Sequence, residues 1–127
     1  MKKTIQTDNA PAPIGPYSQA VLVGSTLYTS GQIALDAQSG ELLIENITDE
    51  TIKVMMNMQA VLNAAEMDFN NVVKSTIFLS SMSNFDAVNK VYASYFDEQN
   101  APARETVEVS ELPKKVNVEI SMIAIKG

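Results

Sequence analysis

The 127-residue chain contains no histidine and no cysteine, which closes several common chemistries to it. It can assemble no Ser-His-Asp triad, no thiol nucleophile and no ordinary zinc site. Any catalysis falls to carboxylates, lysines, hydroxyls, backbone groups, water and a single arginine, Arg104, the other eight cationic side chains being lysines. Arg104 stands in Ala101-Pro102-Ala103-Arg104-Glu105-Thr106-Val107-Glu108-Val109. Pro102 suits the start of a strand, where no ladder N–H is needed. The alternating residues after it keep the chain extended over 103–109, with Arg104 and Thr106 on one face and Glu105 and Val107 on the other. A guanidinium presents a rigid planar fork that matches a carboxylate or phosphate better than an ammonium does. A lone arginine on a strand is thus a candidate anion clamp; an ordinary surface ion pair is the alternative, and this stretch alone leaves both open.

The elements that must position Arg104 belong to a chain of ordinary globular composition, 46% hydrophobic and 19% charged. Its length predicts one domain over residues 1–127. The net charge of -6 argues against a phosphate-backbone partner, so no nucleic acid is expected. Met1-Lys2-Lys3 opens like a leader, but no apolar region follows it and no stretch reaches membrane-spanning length. The cytoplasm is the expected compartment, with no membrane partner. No repeat or low-complexity segment is present.

Residues 8–16, rich in proline and glycine, read as a loop of fixed shape leading into Tyr17-Ser18-Gln19. Val21-Leu22-Val23 and Thr26-Leu27-Tyr28-Thr29 flank Gly24-Ser25, the signature of a hairpin with a type II′ turn. Ser30-Gly31-Gln32 follows, its glycine placed where a backbone can approach something closely. Asp36 to Glu45 reads as a surface turn. Thr48 is the expected N-cap of a first helix, with Asp49 and Glu50 in its opening turn and Ile52, Met55, Met56, Gln59 and Leu62 at helical spacing. Its methionines Met55, Met56 and Met58 are expected in the core rather than on a binding surface.

A strand over 72–80 comes next. Ser83 and Asp86 match a capping box opening a second helix, whose apolar stripe is Phe85, Val88, Tyr92 and Phe96 with Asn89 inside it. After strand 103–109 and the turn Leu112-Pro113-Lys114-Lys115, the segment 116–125 alternates. Val116, Val118, Ile120, Met122 and Ala124 fall on one face, and Asn117, Glu119 and Ser121 on the other. The order of hairpin, helix, strand, helix and two strands predicts an α+β domain, a mixed β-sheet with both helices on one face. Phe78, Ile123 and Ile125 leave the second face apolar, which predicts that another copy of the chain covers it.

Four segments taken together, Ala12-Pro13-Ile14-Gly15-Pro16-Tyr17-Ser18-Gln19-Ala20, Ser30-Gly31-Gln32, Pro102-Ala103-Arg104 with Thr106-Val107, and Leu112-Pro113-Lys114 with Val118-Glu119-Ile120, resemble the RidA (YjgF/YER057c/UK114) family of reactive-intermediate deaminases. The resemblance spans essentially the whole chain. It implies a chorismate-mutase-like α+β fold, a homotrimer with ligand pockets at subunit interfaces, and hydrolysis of 2-imino acids or their enamine tautomers to 2-oxo acids and ammonia. The implied substrates are 2-iminobutanoate and 2-iminopropanoate, with neither pyridoxal phosphate nor metal as cofactor.

Carried over residue by residue, the resemblance implies that Arg104 grips the substrate carboxylate and that Glu119 orients or activates the attacking water. It implies that Tyr17, Ser30, Gly31, Asn89 and Thr106 line the pocket. Glu105 departs from the small or hydroxyl residue usual in the family, and alternation turns it away from Arg104. Thr106 replaces a frequent cysteine, so a role needing a thiol is ruled out.

The chemistry is within reach of these residue types. A protonated imine is already electrophilic and needs no enzyme nucleophile, only a held carboxylate, a positioned water and support for the tetrahedral species. Each residue also has a structural reading: Glu119 as a solvated strand residue, Tyr17 as a packing anchor, Asn89 as a satisfied core amide and Ser30 as a strand end. Two other functions fit the family, a regulatory protein sensing a 2-oxo acid or amino acid in the same pocket and a ribonuclease, the latter opposed by the acidic charge.

Overall fold

The structure, a computed structural model, describes residues 1–127. Six strands form one sheet: β1 (Lys2–Ile5), β2 (Ala20–Val23), β3 (Thr26–Thr29), β4 (Val72–Leu79), β5 (Ala103–Glu108) and β6 (Val118–Ile125). Two helices, α1 (Ile47–Ala64) and α2 (Phe85–Ala93), complete it. The strand order is β1-β2-β3-β6-β4-β5, with β4 and β5 parallel and every other pair antiparallel. The sheet is therefore mixed and the fold α+β, as the element order predicts.

The hairpin β2–β3 closes through Gly24 and Ser25, with Val23 opposite Thr26. Gly24 takes φ +61°, the left-handed geometry that the first central position of a type II′ turn requires. β1 is an element the sequence reading missed. Its three exposed residues and short length conceal any alternation, and two lysines blunt it as an edge strand. The strands expected over 72–80, 103–109 and 116–125 fall at 72–79, 103–108 and 118–125.

Alternation sorts the sheet into two faces. Ile5, Leu27, Ser75, Ile77, Leu79, Val118, Ile120, Met122 and Ala124 turn toward the helices and are buried, most of them completely. Val54, Met55, Met58, Val61 and Leu62 of α1, with Val88 and Tyr92 of α2, cover them to make one core. The opposite face carries Val21, Tyr28, Phe78, Val107, Ile123 and Ile125 with no layer over it, and Tyr28, Val107 and Ile125 are among the exposed large hydrophobics.

The helix starts differ from those expected. Asn46, not Thr48, caps α1: its Oδ1 accepts from the Asp49 N–H at 2.8 Å while its Nδ2 donates to the Asp49 carboxylate at 2.9 Å. The buried stripe is displaced accordingly, since Met55 and Met58 are fully buried but Ile52 and Met56 are exposed. Buried Glu50, Thr51 and Asn57 sit on the inward side of α1 and disguise its phase in the sequence. The Ser83/Asp86 capping box does not form. Ser81 instead caps a single 3-10 turn, Met82–Asn84, that leads directly into α2, and Asn84 at the start of α2 makes no side-chain cap. The α2 stripe holds, with Val88 and Tyr92 buried and Phe85 and Phe96 packed against the core.

Candidate active site, two half-sites on opposite faces of the sheet

Arg104 sits on β5, the edge strand, in register with buried Ser75, so it projects on the side of the sheet that carries the helices. There α2 receives it. Arg104 Nη1 donates to Asn89 Oδ1 at 2.6 Å, and its Cζ lies 5.1 Å from the Tyr92 ring centroid and 5.7 Å from that of Phe85. One amide and two aromatic rings thus hold the guanidinium while leaving it exposed at a groove lined by Asn89, Tyr92, Phe96 and Pro102. Tyr92 is itself fixed, its hydroxyl donating to Ser75 Oγ at 2.9 Å in the interior. Burial raises the Tyr92 phenol above its ordinary pKa, only partly offset by that hydrogen bond and by the Arg104 charge, so it stays protonated.

Asn89 is therefore Arg104's acceptor, the one polar residue of the α2 stripe that hydrogen-bonds the guanidinium. Thr106 shares Arg104's face, in register with Ile77, and its Oγ1 is buried without a hydrogen bond in the chain. Glu105 points the other way and pairs with Lys74 at 3.0 Å, as alternation predicts.

Glu119 lies on the other side of the sheet, on β6 opposite Phe78 of β4. It lines a cavity of about 260 Å³ with Tyr17, Ser30, Gly31, Gln32 and Lys114. The carboxylate rests directly on the Gly31 backbone: a Cβ added there would come within 2.1 Å of Glu119 Oε2. The bridge between Gln32 and Ile120 fixes this contact, with Gln32 N donating to Ile120 O at 2.8 Å and Ile120 N to Gln32 O at 3.1 Å. Glu119 makes none of the chain's three ion pairs, and burial alone pushes its pKa above the ordinary carboxylate value.

The rest of this cavity is held by the amino-terminal loop. Ser30 Oγ donates to Ser18 O at 2.6 Å, which commits its proton and leaves the oxygen as an acceptor. Tyr17 is half-exposed, its phenol oxygen accepting from Ile14 N at 3.3 Å. Buried Gln19 ties the loop down by accepting from Thr7 N and donating to the carbonyls of Thr7, Ala10 and Pro11.

Of the residues singled out in the sequence, the fold gathers Tyr17, Ser30, Gly31 and Glu119 into one cavity and Asn89 and Arg104 into another. It does not bring the two groups together within one chain. The sequence reading missed Lys114, which enters the Glu119 cavity on left-handed backbone (φ +56°), followed by Lys115 at φ +57°. Such geometry in a residue other than glycine has no marker in the sequence. It also missed the Phe85–Tyr92 cradle, whose signal was the helical spacing of both rings from Asn89. No cluster of carboxylates, histidines or cysteines is arranged to hold a metal ion, and no helix is long and apolar enough to cross a membrane.

Fold and site together define an α+β chain with a carboxylate on a glycine and an exposed arginine, held by an amide and two rings, at the sheet edge. Residues 7–126 match the family model described as Endoribonuclease L-PSP, and the chain belongs to that family, the YjgF/RidA family. A mouse protein named 2-iminobutanoate/2-iminopropanoate deaminase is 46% identical over 100% of this chain and 92% of its own length. The crystal structure of a putative endoribonuclease from Thermotoga maritima superposes with a TM-score of 0.96 at 46% identity, covering 100% of this chain and 99% of that one. The crystal structure of E. coli TdcF with bound serine superposes with a TM-score of 0.92 at 38% identity, covering 98% of this chain and 99% of the other.

Proposed function

We propose that this chain is a hydrolytic deaminase of 2-imino acids and their enamine tautomers, 2-iminobutanoate and 2-iminopropanoate among them, acting at sites completed between copies of the chain in a homotrimer. The observation that carries the reading is the separation of the two half-sites. A sheet lies between Arg104 and Glu119, so a small acid bound to the Arg104 of one copy meets a Glu119 only if a second copy supplies it. The uncovered apolar face on which Glu119 lies supports such an assembly, since contiguous apolar surface on a soluble chain marks an interface. The mouse relative's name supports the reaction.

In this mechanism Arg104, steadied by Asn89, binds the substrate carboxylate through paired charge-assisted hydrogen bonds. Glu119 of the neighbouring copy accepts a proton from water as its oxygen bonds to the imine carbon and the C=N π electrons move to nitrogen. Glu119 then returns that proton to the amine nitrogen of the carbinolamine, which leaves as ammonia as the C–N bond breaks, the hydroxyl loses its proton and the C–O bond becomes the carbonyl of the 2-oxo acid. The Gly31 N–H, which makes no hydrogen bond within the chain, is a free donor beside the reacting centre. Tyr17 and Ser30 wall the pocket on Glu119's side and Thr106 on Arg104's side. None of these steps draws on a metal or an organic cofactor.

The test couples a threonine dehydratase to the protein and follows 2-oxobutanoate formation. The rate should rise above the spontaneous hydrolysis, and Arg104→Ala should remove the increase; an Arg104→Ala protein as fast as wild type refutes the mechanism.

The serine bound to TdcF favours one alternative, a non-catalytic sensor of an amino acid or 2-oxo acid in the same pocket. Retention of Glu119, unpaired and raised in pKa, speaks for the enzyme, because gripping a carboxylate needs only the arginine. Tight binding of 2-oxobutanoate without turnover would decide for the sensor. The family description names an endoribonuclease, yet a net charge of -6 and a single arginine give RNA phosphates little to bind.

A further inference from the structure

We infer that Glu50 is a positioning residue for Glu119, holding the start of β6 so that the Glu119 carboxylate lies over Gly31. This rests on the deaminase reading above and deepens it. Glu50 stands in the first turn of α1 with no solvent exposure, and it belongs to none of the chain's ion pairs. A fully buried carboxylate without a cation must be satisfied by hydrogen bonds, and every donor it finds belongs to Asn117 or Val118. Oε2 accepts from Asn117 N at 2.7 Å and Val118 N at 3.2 Å, and Oε1 accepts from Asn117 Nδ2 at 2.8 Å. Glu119 is the next residue.

Asn117 is the hub of this anchor. Its carbonyl accepts from Ser80 N at 3.0 Å and its Oδ1 from Ser80 Oγ at 3.3 Å, at the end of β4. One residue thus bolts helix α1 and strands β4 and β6 together. The chain needs such an anchor here, because Lys114 and Lys115, just upstream, are both held at positive φ. Consecutive L-residues in the left-handed region are strained and persist only where the surroundings over-determine them. Lys114 shares the cavity with Glu119, so slack in this turn reaches the carboxylate directly. With the Glu119 carboxylate lying against Gly31 in the space a Cβ would fill, small shifts of β6 change where its oxygens point.

The experiment measures kcat and KM for imino-acid hydrolysis in wild type, Glu50→Leu, Glu50→Gln and Asn117→Ala. In Glu50→Leu we expect kcat to fall by about tenfold or more while KM stays within about threefold, because the carboxylate clamp at Arg104 is elsewhere. Glu50→Gln should keep kcat within about threefold of wild type. Its Oε1 still accepts from both backbone N–H groups, and the Asn117 amide can turn over to meet its Nε2. Asn117→Ala, which keeps the backbone contacts, should lose about threefold to tenfold in kcat at unchanged KM, and it decides the matter if Glu50→Leu fails to fold.

A kcat unchanged in Glu50→Leu, or in Asn117→Ala where that is the variant that folds, overturns the inference. So does a Glu50→Gln protein as impaired as Glu50→Leu, or a loss shared equally between kcat and KM. A wild-type protein with no acceleration at all overturns the deaminase reading and this inference with it, an outcome distinct from an active wild type and an equally active Glu50→Leu.

Discussion

Gly31 shows what a single missing side chain does for this site. Its backbone is not in the left-handed region, so alanine there would meet no left-handed strain; the nearest obstacle is Glu119, whose carboxylate occupies the space a Cβ would need. Gly31→Ala should therefore leave the melting temperature nearly unchanged while lowering kcat by about tenfold or more, as the carboxylate swings off its place. Thermal unfolding and steady-state kinetics on one preparation separate these effects. The same packing sets a pH dependence. Burial raises the Glu119 pKa, so the carboxyl keeps its proton to higher pH than an exposed glutamate, and a base must lose that proton to work. Activity should rise with pH through an apparent pKa above the ordinary carboxylate value, and the acid limb should vanish in Glu119→Gln, which a kcat/KM profile would reveal. For folding the sign is opposite: a carboxyl raised above its unfolded value contributes stability at low pH and loses it as pH rises through the folded value.

At the scale of elements, the pairing of α2 with β5 determines where Arg104 points. A strand edge alone would let so long a side chain roam; the Asn89 amide and the rings of Phe85 and Tyr92 confine it. Asn89→Ala should raise KM by about fivefold to tenfold with kcat within about threefold, since the clamp loses order but keeps its charge. An Asn89→Ala protein with normal KM and reduced kcat would place the amide in the chemistry instead. Asn89 was visible in the sequence as a polar residue in an apolar stripe, yet its partner was not, because the partner comes from a strand whose sheet position helical spacing does not encode. The start of α1 teaches the reverse. Thr48 is a good cap by type, but Asn46 closes a reciprocal pair with Asp49 that Thr48 is not placed to make.

For the molecule as a whole, the proposed mechanism requires both half-sites to meet across an interface. Arg104 faces the helices at one edge, Glu119 the open face, and the open face is apolar beside it. Arg104→Ala and Glu119→Gln proteins, each strongly impaired, should regain activity when unfolded and refolded as a mixture. In a cyclic assembly of randomly mixed chains, about a quarter of the interfaces then pair an intact arginine with an intact glutamate. No recovery on mixing, with mixed oligomers demonstrated by mass, would mean that both groups act from one chain. Charge on the open face gives a second handle. Ile123→Glu should shift the protein toward monomer in sedimentation and abolish hydrolysis together, because an unpaired carboxylate buried in an interface is costly.

What the sequence alone determined was the chemistry available and the alternation that carries it. The absence of histidine and cysteine, the lone arginine on a strand, the glycine at 31 and the two-face pattern of 116–125 are local facts, and local periodicity is enough to read them. The tertiary structure decided what residue spacing cannot express: that Arg104 and Glu119 occupy opposite faces of one sheet, that Asn89 serves the arginine, and that Glu50 reaches across 67 residues to hold the strand of Glu119. Those relations depend on strand order and register, and both are settled by the burial of side chains from distant segments in one core, a condition that no single stretch of chain contains.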